Sequence, residues 1–115
     1  MHVQLFSTFS ETIAEMPPQV ILKTLELQRK MLETDVALKR TLPMNEVSSI
    51  LSFCRFMEIV RQGGECVPIA VPEKHFDFYR ETVERLVRAN ILTRQATDQF
   101  DLVFCKSALR LKAVA

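Results

Sequence analysis

The chain has 115 residues, 48% of them hydrophobic and 25% charged, which is typical of one globular domain. Its 15 Lys and Arg against 14 Asp and Glu give a formal net charge of +1, which argues against a nucleic-acid-binding protein and against a polybasic membrane anchor. The three cysteines, Cys54, Cys66 and Cys105, form no CxxC pair, so neither a paired-ligand zinc site nor a secreted disulfide scaffold is indicated.

The first predicted helix ends at Met16, immediately before Pro17 and Pro18. Helical spacing puts four apolar residues on one face: Phe6, Phe9, Ile13 and Met16. Ser7 or Ser10 is suited to cap its start. The amino-terminal residues lack the basic start and long apolar run of a signal peptide, and no later segment has the pattern of a transmembrane helix. We therefore expect a cytoplasmic protein that binds no membrane.

The longest predicted helix covers residues 18–42 and stops at Pro43. Its apolar residues form two lines at helical spacing, about a third of a turn apart. The first line contains Val20, Leu27, Met31 and Leu38, and the second contains Ile21, Leu25, Leu32 and Val36. A helix with two apolar stripes packs against two neighbours. We expect one neighbour to be the central helix, described below, and the other to be a second copy of the chain.

Three polar residues, Thr24, Gln28 and Asp35, lie between the two apolar lines. Side chains in this position can form polar contacts across a helix interface and set its register, as isolated polar residues do in coiled coils. They are equally suited to line a small pocket. Together with Met31, they are the candidate interface or pocket residues of this helix.

Residues 45–62 are predicted to form a helix at the centre of the fold. Nine apolar residues cover well over half of its circumference: Val47, Ile50, Leu51, Phe53, Cys54, Phe56, Met57, Ile59 and Val60. A helix that is apolar on so many sides must be surrounded by other elements. Asn45 is suited to be its N-cap, and the pair Gly63 and Gly64 has the chemistry of a helix C-terminus.

Residues 65–71 alternate in polarity, but Pro68 lacks an N–H group, so we predict an apolar loop or at most an edge strand near 67–71. The next predicted helix ends near Asn90. Its pattern is a clean amphipathic stripe of Phe76, Tyr79, Val83, Leu86, Val87 and Asn90. Phe78 lies off this stripe, and we interpret it as a partner contact or as a cover for the loop.

The last predicted helix follows Thr93, which is suited to cap it. Its apolar face contains Leu92, Ala96, Phe100, Val103 and Phe104. The tail, residues 107–115, is compatible with a helix by continuity or with a strand by alternation. The whole pattern predicts an all-α fold, a compact bundle of four to five helices around the central helix, forming a single helical domain over residues 1–115.

Cys66 and His75 are the pair with catalytic chemistry. A thiol beside an imidazole can act as nucleophile and base, and the first turn of a helix favours a thiolate. No oxyanion hole is indicated, and the simpler interpretation is a solvent-facing His75 beside a buried cysteine. His2 and His75 are too far apart in sequence to give metal-ligand spacing, so no metal and no cofactor is predicted.

These patterns favour a small soluble helical protein-interaction module that is homodimeric through its longest helix and acts by binding rather than by catalysis. The alternative is a small-molecule-binding protein with an apolar cavity between helices, opening at the 65–71 loop and accepting a small apolar ligand. A third hypothesis is a thiol enzyme that uses Cys66 and His75. No nucleic-acid partner is expected, and the sequence does not identify a protein partner.

Overall fold

A computed structural model describes residues 5–35, 42–64 and 68–106 of the chain. Within these ranges the helices are α1 (Leu5–Glu15), α2 (Pro18–Thr34), α3 (Met44–Gln62), α4 (Glu73–Arg88) and α5 (Gln95–Val103). Two short strands, β1 (Ile69–Val71) and β2 (Phe104–Lys106), pair in parallel with Ile69 opposite Phe104. The predictions of an all-α fold with four to five helices and of a minor extended segment near 67–71 are therefore confirmed.

The chain divides into two compact units, Met1–Glu58 and Ile59–Ala115. The amino-terminal unit contains α1, α2 and most of α3. The carboxy-terminal unit contains the end of α3, both strands, α4 and α5. The organisation of residues 1–115 as one helical domain stays a prediction.

Helix α1 buries Phe6, Phe9 and Ile13, as its spacing predicted. The predicted serine cap is wrong, because Ser7 and Ser10 both lie inside the helix and the Ser10 hydroxyl donates to the Ser7 carbonyl at 3.1 Å. The start of α1 is instead supported from α3, where Oε1 of Glu46 accepts a hydrogen bond from the Phe6 N–H at 2.9 Å. A carboxylate at this position satisfies a backbone donor that has no partner within its own helix.

Helix α2 ends at Thr34, whereas the sequence predicted an end at residue 42. Asp35 takes an extended backbone conformation with φ −89° and ψ 93°, and its N–H donates to the carbonyl of Met31 at 3.0 Å. The Asp35 N–H thus makes the last helical hydrogen bond of α2, and the backbone leaves the helical conformation at the same residue. The predicted continuation through Val36 and Leu38 lies outside the described residues.

Helix α3 is buried around most of its circumference between positions 47 and 57, as predicted. The buried residues are Val47, Ser49, Ile50, Leu51, Phe53, Cys54, Phe56 and Met57. The polar strip opposite them is exposed at Ser48 and Arg55. The helix begins one residue before Asn45, and the Val47 N–H donates to the Pro43 carbonyl at 3.0 Å, so Asn45 is not the N-cap.

Two helices end in the same backbone motif. Gly63, after α3, has φ 78° and donates its N–H to the Val60 carbonyl at 3.3 Å, while the next N–H, of Gly64, reaches the Ile59 carbonyl at 2.9 Å. Asn90, after α4, has φ 61° and donates to the Val87 carbonyl at 3.0 Å. Both are Schellman motifs with a left-handed residue after the helix. The predicted helix ends at Gly63 and Asn90 are confirmed.

Aromatic rings fill the carboxy-terminal unit. Phe100 lies 5.3 Å from Phe76 and 4.7 Å from Phe104, measured between ring centroids, and Tyr79 lies 6.1 Å from Phe104. The predicted apolar face of the last helix is buried, but Phe104 begins strand β2 rather than continuing α5. The tail, residues 107–115, lies outside the described residues.

Candidate interaction surface on helix α2

Two prolines determine where helix α2 begins. Pro17 has φ −62° and ψ 143°, the extended conformation of an N-cap, and Pro18 occupies the first helical position. Proline is well suited to that position, because its ring fixes a helical φ and its missing N–H would have no partner there. The following residues then place the apolar side chains at fixed angles around α2.

One apolar line of α2 is buried and the other is exposed. Ile21, Leu25 and Leu32 are fully buried. The other line has exposed fractions of 45% at Val20, 54% at Leu27 and 44% at Met31. We call these three residues the exposed stripe. The prediction of two apolar lines is confirmed, and the structure shows which of the two is left open to solvent. Its predicted fourth member, Leu38, lies outside the described residues.

Thr24 lies beside the exposed stripe, and its hydroxyl already has an acceptor. It donates to the carbonyl of Val20 at 2.9 Å. Thr12 on α1 donates in the same way to Thr8 at 2.8 Å, and Thr34 donates to Lys30 at 2.7 Å. A hydroxyl that is satisfied inside its own helix loses little when a partner covers it, because no donor is left without an acceptor. The face of α2 that carries Thr24 is consequently less polar than its residue types indicate.

Thr24 and Gln28 also line a narrow cleft between α1 and α2, of about 80 Å³. The other lining residues come from α1 and are Leu5, Thr8, Phe9, Thr12 and Ile13. Sites for drug-sized ligands occupy about 300–1,000 Å³, so this cleft is too small to hold such a ligand. Asp35 is exposed and does not line the cleft. The sequence did not indicate the α1 contribution, because nothing in the chain pattern says which neighbour faces Thr24.

A cluster of four charges joins α2 to α3. Arg29 donates from Nη2 to Oε1 of Glu58 at 3.0 Å and from Nη1 to Oε2 of Glu33 at 3.1 Å, while Nε of Arg55 donates to Oε1 of Glu33 at 3.0 Å. Arg29 Nε also contacts the Glu58 carboxylate. These contacts confirm that the central helix is one neighbour of α2. Two positive and two negative side chains leave the cluster neutral.

The contacts of the cluster shift the pKa values of Arg29 and Glu33. The hydrogen bond with Glu58 outweighs burial and raises the pKa of Arg29. Burial acts to raise the pKa of Glu33, but the hydrogen bond from Arg55 and the charges of Arg55 and Arg29 together outweigh it, so the pKa of Glu33 is lowered. Burial, with the Glu58 carboxylate nearby, raises the pKa of the Cys54 thiol to about 12. Cys54 is therefore a neutral core side chain and not a nucleophile.

Two further candidate residues, His75 and Phe78, lie on α4 in the carboxy-terminal unit. His75 is 1% exposed, so the expectation of a solvent-facing imidazole is wrong; its ring lies 6.2 Å from that of Tyr79. Phe78 is half-buried with its ring 6.0 Å from that of Tyr79. Cys66 lies outside the described residues, so the hypothesis of a thiol enzyme using Cys66 and His75 stays untested.

The carboxy-terminal unit has an open concavity of about 460 Å³. It is lined by Glu84, Val87, Arg88, Arg94, Thr97 and Asp98. Two positive and two negative side chains face it, with one apolar residue, which is unlike the predicted apolar cavity. Within the described residues, no group of three or more His, Cys, Asp and Glu side chains is arranged to hold a metal ion.

No family model, curated protein or solved structure matches this chain. In the described part of the chain, no helix combines the length and the apolar character needed to cross a bilayer.

Proposed function

We propose that this chain is a helical protein-interaction module that associates as a homodimer through the exposed stripe of α2 and acts by binding rather than by catalysis. The observation that carries the proposal is the contrast between the two apolar lines of one helix. Ile21 and Leu25 are withdrawn from water, whereas Leu27 and Met31 are about half exposed on the same helix. Apolar side chains gathered on one face of a helix mark a contact with a partner.

The polar residues around the stripe fit this function. Thr24 keeps its hydroxyl bonded to its own helix, so burial against a partner leaves no donor without an acceptor. The charges on the α3 side of α2 are already paired between Arg29 and Glu58 and between Glu33 and Arg55, so they do not oppose the burial of the neighbouring apolar residues.

The proposal places the protein in the cytoplasm. Cys54 and Cys105 both carry free thiols. Free thiols are usual in the reducing compartments of the cell and unusual in small secreted domains.

Sedimentation velocity at micromolar concentrations tests the proposal. We expect the parent to sediment as a dimer and Leu27→Glu to sediment as a monomer, because the substitution places a charge in the centre of the stripe. Leu102→Glu is the matched control, since Leu102 on α5 is 80% exposed and lies in the other unit. It should leave the dimer intact.

Met31→Glu and Met44→Glu form a second matched pair, because both methionines are exposed and only Met31 belongs to the stripe. Circular dichroism melts should show all four variants folded, which ties any loss of dimer to the surface and not to unfolding. A monomeric parent, or a dimer that survives Leu27→Glu, contradicts the proposal.

A further inference from the structure

The exposed stripe has a basic edge. Lys23 and Lys30 have side-chain exposed fractions of 68% and 56% and share one carboxylate, that of Glu26, at 3.8 and 3.3 Å. Projected at about 100° per residue, both lysines fall on the same side of Leu27. Two positive charges against one negative charge leave this edge basic.

The opposite edge is acidic. Thr24 and Gln28 fall on the other side of Leu27, and there they face α1 across the narrow cleft. On α1, Glu15 is three residues after Thr12, so it shares a helical face with that cleft residue; Glu11 precedes Glu15 by one turn. Both glutamates are exposed.

The stripe therefore runs between a basic edge, defined as Lys23, Lys30 and Glu26, and an acidic edge, defined as Glu11 and Glu15.

In a symmetric homodimer, the opposite charges of the two edges determine whether the α2 helices of the two copies run parallel or antiparallel. In a two-fold interface the same patch meets itself, and the axis lies in the plane of contact. An axis along α2 makes the two helices parallel and brings the basic edge of each copy against the acidic edge of the other. An axis across α2 makes them antiparallel and sets basic edge against basic edge and acidic edge against acidic edge.

We infer that, if the proposed function holds, the two copies associate with their α2 helices parallel, with Lys23 and Lys30 of each copy facing the acidic edge of the other. The spacing of Val20, Thr24, Leu27 and Met31 alternates four and three residues, as in the seam of a two-stranded coiled coil. In the parallel arrangement Val20, Leu27 and Met31 each meet the same residue of the other copy.

Cysteine cross-linking distinguishes the two orientations. In a background with Cys66→Ser and Cys105→Ser, which leaves the buried Cys54, we introduce Val20→Cys or Met31→Cys. The parallel arrangement predicts that each variant alone forms a disulfide-linked dimer under mild oxidation, because position 20 lies opposite position 20. The antiparallel arrangement places position 20 opposite position 31, so a linked product would form only when the two variants are mixed.

Charge reversal gives a second readout. Lys23→Glu with Lys30→Glu makes both edges acidic, so in the parallel arrangement we expect association about tenfold weaker at low salt, with recovery as salt is added. In an antiparallel dimer this variant would associate like the parent, because like charges already face each other there. A monomeric parent overturns both the function and the orientation. A dimer that Leu27→Glu disrupts but that gives only the mixed cross-link, or neither product, overturns the orientation alone.

Discussion

Phe100 stacks on Phe104 with 4.7 Å between ring centroids and 20° between ring planes, although Phe100 belongs to helix α5 and Phe104 to strand β2. The change from helix to strand occurs between two consecutive residues, Val103 and Phe104. The stack holds the strand against the helix that precedes it. Tyr79 on α4 approaches Phe104 as well, so the start of β2 is fixed by rings from two helices.

Replacing Phe100 by Ala should lower the free energy of unfolding by about 3–5 kcal/mol, because the ring is fully buried and its removal leaves a cavity. Leu102→Ala, on the same helix, is the matched control; Leu102 is largely exposed, and its loss should change the free energy of unfolding by no more than about 0.5 kcal/mol. Urea denaturation followed by circular dichroism measures both. Equal effects of the two substitutions would show that Phe100 is not part of the core.

The two Schellman motifs predict how substitutions at their positive-φ residues change the free energy of unfolding. Asn90→Ala should lower the free energy of unfolding by about 1 kcal/mol, because a side chain with a Cβ and no local hydrogen bonding is strained at φ 61°. Asn90→Gly should be neutral or stabilising at the same position. At Gly63, with φ 78°, Gly63→Asn should be tolerated better than Gly63→Ala. Denaturation midpoints would contradict this if Ala matched Gly at either position.

The lowered pKa of Glu33 predicts a dependence of stability on acid. In the unfolded chain this carboxyl has the ordinary value of 4.5, and in the folded chain the pKa lies below it. The pairing with Arg55 and Arg29 therefore contributes its full stabilisation above that value and loses it as the pH falls through the folded pKa. Glu33→Gln removes the titrating group. The difference in free energy of unfolding between the parent and Glu33→Gln should shrink as the pH is lowered from 6 to about 3; a constant difference would show that the pair is not formed.

The buried thiol of Cys54 predicts slow alkylation. With a pKa raised to about 12 and no exposure, it should resist iodoacetamide at pH 8 in the folded protein and react at the rate of a free thiol in urea. The variant with Cys66→Ser and Cys105→Ser isolates this residue, and mass spectrometry counts the added groups. Rapid modification without denaturant would mean that α3 opens locally.

Periodicity predicted the elements whose signal lies within one helix. The two lines of α2 follow from side chains repeating every three to four residues, and so does the buried girth of α3 around Phe53 and Phe56. The chemistry of helix ends placed Gly63 and Asn90 correctly, because both tolerate a left-handed backbone. The apolar line that forms the exposed stripe was predicted from the same helical spacing.

Contacts between distant residues were not predictable from these patterns. The carboxylate of Glu46 accepts from Phe6 across 40 residues, and no local feature of α1 points to it. The early end of α2 at Thr34 carries no Gly or Pro signal. His75 is buried because it lies one helical turn before Tyr79, on the face of α4 that is buried. Thr82 is buried on α4 as well, and its hydroxyl donates to the Phe78 carbonyl, so this donor is satisfied.

The parallel pairing of β1 with β2 also constrains the order in which the molecule is made. The contact between Cys105 and the Ile69 carbonyl spans 36 residues of chain, and that intervening chain carries α4 and α5. On a ribosome, Ile69 emerges well before its strand partner exists outside the tunnel. The pair of helices can form from local contacts during that interval, whereas β1 cannot pair with β2 until Lys106 has left the tunnel, so during synthesis strand pairing must wait until both helical segments have emerged.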